Sequence, residues 1–141
     1  MSDERWFFDT NVLVYLFDRK APDKRQLAQA LWERAIDEAT PVISTQVLQE
    51  FFVTVTKAAK QGLPIAQARR AMQKFEAIAE VRMISLPLVY SATERLEQTG
   101  YSFWDSLIIE TALEADSTRL WTEDLQPGQT IGKLKIENPF Q

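Results

Sequence analysis

The 141-residue chain contains no cysteine and no histidine. Without thiols there are no disulfides and no thiolate metal sites, which fits a reducing, cytoplasmic setting. Without imidazole, Ser-His-Asp and Cys-His triads are excluded, as are histidine-based ribonuclease mechanisms and zinc sites that need imidazole. Any chemistry must therefore run on carboxylates, hydroxyls, lysine or arginine. Metals held by oxygen alone are Mg²⁺, Mn²⁺ or Ca²⁺. No run of 18 apolar residues occurs, so no membrane-spanning helix is expected. The N-terminus carries Asp3 and Glu4 and lacks the basic-then-apolar pattern of a secretory signal. Repeats, linkers and low-complexity tracts are also missing.

The length fits one domain spanning residues 1–141. A chain of this size buries roughly 68–70% of its unfolded surface, enough for a core without staples. Its 16 basic and 20 acidic residues leave a net charge of −4, which argues mildly against a simple basic nucleic-acid binder. Screening four of those acids with a bound cation would bring the balance to zero, so global charge leaves the question open.

The chain is organised around Phe7-Phe8-Asp9-Thr10-Asn11-Val12-Leu13. Trp6, Phe7 and Phe8 read as a short buried strand, because aromatics suit a pleated, covered surface. Asp9 falls at its C-terminal end, where open parallel sheets gather their ligands. A carboxylate there is either a cap for the next helix or the first ligand of a site. Apolar Val12 to Phe17 start a helical turn. Pro22 opens a helix to Glu38 with Leu27, Leu31, Trp32, Ala35 and Ile36 at helical spacing. Val42 and Ile43 form the second strand. Ser44 or Thr45 caps a helix with Val47, Leu48, Phe51, Phe52 and Val55 on its face, expected to end near Gln61-Gly62. Pro64 starts another, covered along Ala68, Ala71, Met72, Phe75 and Ile78. Val81, Met83 and Ile84 make a third strand. A helix runs from Pro87 to Thr99 and stops at Gly100. Ser102 caps a helix carrying Leu107, Ile108 and Ala112. Leu120 to Thr122 is the fourth strand, Pro127-Gly128 a turn, and Ile131 to Ile136 an edge strand. Short strands alternating with helices predict an α/β fold with a parallel sheet of four or five strands, covered on both faces.

Four carboxylates occupy telling places. Asp9 ends strand one, and Glu50 lies beside the apolar face of the helix after strand two, where a charge is costly unless paired or metal-bound. Asp105 lies in the first turn of the helix capped by Ser102, and Asp124 follows strand four. A parallel sheet delivers all four to one edge. Crowded carboxylates raise one another's pKa unless a cation sits among them, and an all-oxygen cluster suits Mg²⁺ or Mn²⁺. Each residue also has a plainer reading. Ser102 and Asp105 have capping-box spacing, Glu50 fits a solvated helix position, and Asp124 fits a turn, with Glu123 its rival as the fourth acid.

Phe8-Asp9-Thr10-Asn11-Val12-Leu13, the Ile43–Phe51 segment, Ser102-Phe103-Trp104-Asp105-Ser106-Leu107-Ile108, Thr122-Glu123-Asp124-Leu125-Gln126 and Ile136-Glu137-Asn138-Pro139-Phe140 together resemble a PIN domain, and in particular the VapC-like toxin ribonucleases of type II toxin–antitoxin pairs. The resemblance covers nearly the whole chain in order. It implies a three-layer α/β/α sandwich with a central parallel sheet. It also implies a Mg²⁺- or Mn²⁺-dependent endoribonuclease that cleaves RNA with a metal-activated water. By position, Asp9, Glu50, Asp105 and Asp124 are the catalytic and metal-binding acids, supported by Thr10, Asn11 and Thr122. A cognate antitoxin and a homodimer are implied as partners. Glu110 departs from the pattern, which places a small residue there, and Thr122 stands where serine is more usual.

Arg69, Arg70 and Lys74 on one helix and Lys57 and Lys60 at the end of another can contact phosphates or form solvated faces. Trp104 can stack on a base or belong to the core. Two other classes compete with this reading. A receiver or haloacid-dehalogenase-like phosphoryl-transfer domain needs acids or a lysine where Asn11, Asp18 and Lys133 or Lys135 stand poorly. A non-catalytic interaction module is the other, and the intact acidic set argues against it.

Overall fold

The structure is a computed structural model, described here over residues 3–141. The order of elements is β1 (Arg5–Phe8), α1 (Thr10–Tyr15), α2 (Pro22–Glu38), β2 (Thr40–Ser44), α3 (Thr45–Val55), α4 (Ile65–Ile78), β3 (Glu80–Arg82), α5 (Leu86–Thr99), α6 (Phe103–Glu114), β4 (Arg119–Trp121), β5 (Thr130–Ile131) and β6 (Leu134–Glu137). The strands form one sheet in the order β3-β2-β1-β4-β6-β5. Five run parallel, and only β5 is antiparallel to its neighbour.

The central strand is the most apolar. Phe7 and Phe8 of β1 are fully buried and Trp6 nearly so, as a strand covered on both faces requires. From β1 the chain steps outward to β2 and β3 through α1–α4, then returns through α5 and α6 to β4 on the other side of β1. Right-handed crossovers turn that reversal into helices on opposite faces of the sheet. On one side, Phe8 meets Trp32 edge-on at 5.0 Å. Phe75 packs against Trp32, Phe51 and Phe17 at ring distances of 5.7, 5.2 and 6.4 Å. This aromatic knot ties α2, α3, α4 and the turn after α1 to the sheet, and each buried ring contributes about 1.5–3 kcal/mol. A second cluster of Leu88, Ala92 and Leu107 joins α5 to α6. Gly100 ends α5 with φ 78°, a left-handed conformation that favours glycine.

Several expectations need correction. The sheet has six strands rather than four or five. The segment from Ile131 to Ile136 is a hairpin, not one edge strand. Gly132 turns it with φ 58°, and β6 lies inside the sheet against β4 while β5 takes the edge. Helix α3 stops at Val55, short of Gln61-Gly62. Its last residues, Val53-Thr54-Val55, are β-branched like the capping Thr56 and propagate a helix poorly, and the Thr56 hydroxyl bonds back to the Phe52 carbonyl at 2.7 Å. Leu27, Ile36 and Ile78 fit the helical period but are exposed, at the edges of faces narrower than the pattern implies, and Ala28 takes an inner position. Met83 lies beyond β3 and is 73% exposed.

Candidate metal centre

The order in which strands are added reverses between the parallel strands β1 and β4, which opens a crevice at their C-terminal ends. Asp9 stands in it. Its main-chain N–H donates to Trp121 O at 3.0 Å, the last rung between the strands. Its Oδ1 caps α1 by accepting the Thr10 N–H at 2.7 Å, and its Oδ2 accepts the Thr122 hydroxyl at 2.7 Å. The cap and the site residue are thus the same side chain, and it is only 5% exposed.

Asp124 arrives from the loop after β4. Asn11 Nδ2 donates to Asp124 Oδ2 at 2.9 Å, Asn11 Oδ1 accepts the Glu123 N–H at 3.3 Å, and Thr122 Oγ1 accepts the Asp124 N–H at 3.1 Å. Asn11 and Thr122 therefore clamp this loop to the start of α1. Asp105 comes from the first turn of α6, where Ser102 Oγ accepts its N–H at 3.0 Å and the helix N-terminus favours a carboxylate. One oxygen each from Asp9, Asp105 and Asp124 lies within 4.8 Å of the others.

Glu50 stands outside that group of three. Its Oε1 accepts the Thr10 hydroxyl at 2.7 Å, and it lines the same pocket. Glu123 points elsewhere. It accepts the Tyr15 hydroxyl at 2.9 Å and pairs with Lys24, which leaves Asp124 as the acid facing the cluster. Glu110 faces neither the cluster nor open solvent, because Arg95 of α5 binds it at 2.6 Å. Sequence reasoning missed Gln46. It is buried, lines the pocket, and lies four residues before Glu50, on the same face of α3. That spacing was the available signal. The Tyr15–Glu123–Lys24 cluster left none, since its members are scattered in the chain.

Burial pushes the Asp9 carboxyl from 3.8 up to about 7. The Thr122 and Thr10 hydrogen bonds work against that rise, and the nearby Asp124 and Glu50 add to it. Desolvation raises Asp105 as well, opposed by Ser102 and helped by Asp124. The pocket over the carboxylates is open and measures about 580 Å³.

The donor set fits a hard divalent ion. Every ligand atom is a carboxylate oxygen, and neither a cysteine thiolate nor an imidazole exists in the chain. Oxygens bound directly to Mg²⁺ lie up to about 4.2 Å apart across the ion, close to the observed grouping, with waters filling the remaining positions. A buried carboxylate between two others is costly without such a charge.

Comparison with known proteins agrees with this architecture. The PIN domain family model matches residues 6–130. No curated protein matches the chain significantly. Among solved structures, VapBC2 from Rickettsia felis, bound to a DNA fragment from its promoter, is similar at 25% identity and a TM-score of 0.68, covering 95% of this chain and 98% of that one. A toxin–antitoxin complex from Klebsiella pneumoniae matches at 20% identity and a TM-score of 0.71, covering 96% and 98%. Mycobacterium tuberculosis VapC20, a sarcin-ricin loop cleaving toxin, matches at 18% identity and a TM-score of 0.65, covering 82% and 86%.

Proposed function

The chain belongs to the PIN domain family, and on that footing we propose that it is a divalent-metal-dependent endoribonuclease, the toxin of a toxin–antitoxin pair. The observation that carries this reading is the convergence of Asp9, Asp105 and Asp124, from three separated elements, to within 4.8 Å. The similarity to the Rickettsia felis toxin–antitoxin structure supports the assignment to such a pair, and the named activity of VapC20 supports RNA as the substrate.

In this reading Asp9, Asp105 and Asp124 hold Mg²⁺ or Mn²⁺. When bound, the ion supplies Lewis acidity toward a phosphate oxygen and lowers the pKa of water. The chain's own residues do the rest. Thr122 and Asn11 fix the orientations of Asp9 and Asp124, as outer partners of metal-binding carboxylates do. Thr10 tethers Glu50 across the pocket, where its other oxygen can orient the attacking water. No side-chain nucleophile is needed, in keeping with a chain without cysteine or histidine. Water attacks the phosphorus in line and the 3′-oxygen leaves, which yields 5′-phosphate and 3′-hydroxyl ends. An antitoxin is the protein partner, and a homodimer the assembly.

The test is incubation of the purified protein with total RNA in Mg²⁺, in Mn²⁺ or in chelator, beside Asp9→Asn. Cleavage that needs the ion and disappears in the variant supports the reading. Chelator-insensitive cleavage, or wild-type turnover by Asp9→Asn, overturns it.

A further inference from the structure

Three of the four tryptophans are buried, at 2% for Trp6 and 8% for Trp32 and Trp121. Trp104 is 59% exposed and forms part of the pocket wall, next in sequence to Asp105. An exposed tryptophan is the exception in a fold that buries the other three, and its setting is specific. Its ring is braced edge-on by Phe103 at 5.1 Å. Its carbonyl accepts Gln46 Nε2 at 3.2 Å. Because a carbonyl can only accept, that bond fixes which end of the Gln46 amide is oxygen. Gln46 is 3% exposed, and its Oε1 has no hydrogen-bond partner among the described residues. Unpaired buried acceptors are rare and costly. Across the pocket, Lys60 lies in the turn after α3 and forms no ion pair among the described residues. The same hollow thus offers a flat π-face, held from within by the buried Gln46, and a cation with no ion pair among the described residues, beside the carboxylates.

We propose that Trp104 and Lys60 form a nucleotide subsite next to the metal centre: one unpaired RNA base stacks on the Trp104 indole, a flanking phosphate meets Lys60, and Gln46 holds the Trp104 main chain in place from within. The proposal rests on the ribonuclease reading above and adds where the chain grips its substrate. Stacking accepts any base, because every base has a π-face, and it requires the base to be unpaired. The subsite therefore selects single-stranded RNA or flexible loops over duplex, and Lys60 contributes salt dependence without sequence preference.

Trp104 also provides the assay, as the one exposed indole among four. The probes are a single-stranded 12-residue oligoadenylate and a perfect RNA duplex, in Ca²⁺ buffer with intact RNA verified on a gel. The single strand should quench wild-type tryptophan fluorescence and the duplex should not. Trp104→Phe should lose the quench yet retain affinity for a labelled oligomer, measured by anisotropy. Trp104→Ala should weaken binding about 5- to 150-fold, the range of one base–aromatic stack. Lys60→Gln should lower the log–log salt slope by about 0.7, one phosphate's worth on a single strand. Circular dichroism confirms that each variant folds. If wild type cleaves RNA but Trp104→Ala binds the single strand as tightly as wild type, the subsite is refuted and the ribonuclease reading stands. Equal quenching by duplex and single strand also refutes it. If wild type neither binds nor cleaves RNA, both fall together.

Discussion

Replacing Asp9 with asparagine should stabilise the protein when divalent ions are chelated, and should do so only above a definite pH. The carboxyl is buried, and its pKa is pushed from 3.8 to about 7. Below about pH 4 it is neutral in both the folded and unfolded chains and costs nothing. Between about 4 and 7 the folded protein keeps a proton that the unfolded chain releases, so stability falls as pH rises. Above about 7 the penalty is complete. A displacement of about 3 in pKa corresponds to a ceiling of about 4 kcal/mol. Local relaxation and entering water reduce it, and we expect roughly 1–3 kcal/mol at pH 8. Asparagine keeps the shape and remains a good N-cap, so the exchange isolates the charge. At this length 1 kcal/mol moves Tm by roughly 3 °C. Urea unfolding of both proteins in EDTA, from pH 4 to 8, should show a gap that opens as pH rises. A variant less stable than wild type at pH 8, or a gap independent of pH, would refute the argument that burial and crowding burden Asp9.

Other consequences are simpler to state. Mn²⁺ at about 100 times its Kd should stabilise the wild type by about 2.7 kcal/mol, seen as a rise in Tm that EDTA reverses and that is absent in Asp105→Asn. Thr122→Val removes the hydroxyl that orients Asp9 and accepts from the Asp124 N–H. It should weaken Mn²⁺ binding about 10- to 100-fold by calorimetry, with far-UV circular dichroism unchanged. Ser102→Ala deletes the cap of α6 and should cost about 1 kcal/mol in urea unfolding.

Much of this fold was legible because local rules and the global fold agree. Ser44 and Ser102 are helix caps by type and position, and Gly100 ends α5 as its conformational freedom requires. The aromatic run before Asp9 is the central strand because aromatic side chains suit a strand covered on both faces. The failures lie where chemistry is local but its outcome is not. Leu27 and Ile78 obey the helical period, and only the packing of neighbouring helices decides that they face water. The sequence favours Asp124 over Glu123 as the fourth acid, and the physical reason lies outside the motif: Tyr15 and Lys24, more than ninety residues away in the chain, draw Glu123 aside. Glu110 likewise has its partner in Arg95, on the preceding helix. Trp104 reads as core beside a helix start, yet the crevice between β1 and β4 leaves its face open.

The central claim is that Asp9, Asp105 and Asp124 act as one cation site. Titration of Mn²⁺ into apo protein, followed by the loss of the free-ion electron paramagnetic resonance signal, tests it most directly. The account predicts saturable binding by wild type, lost in both Asp9→Asn and Asp105→Asn although these residues belong to different elements of the fold. Wild type that leaves the free-ion signal intact, or two variants that bind as tightly as wild type, would contradict it.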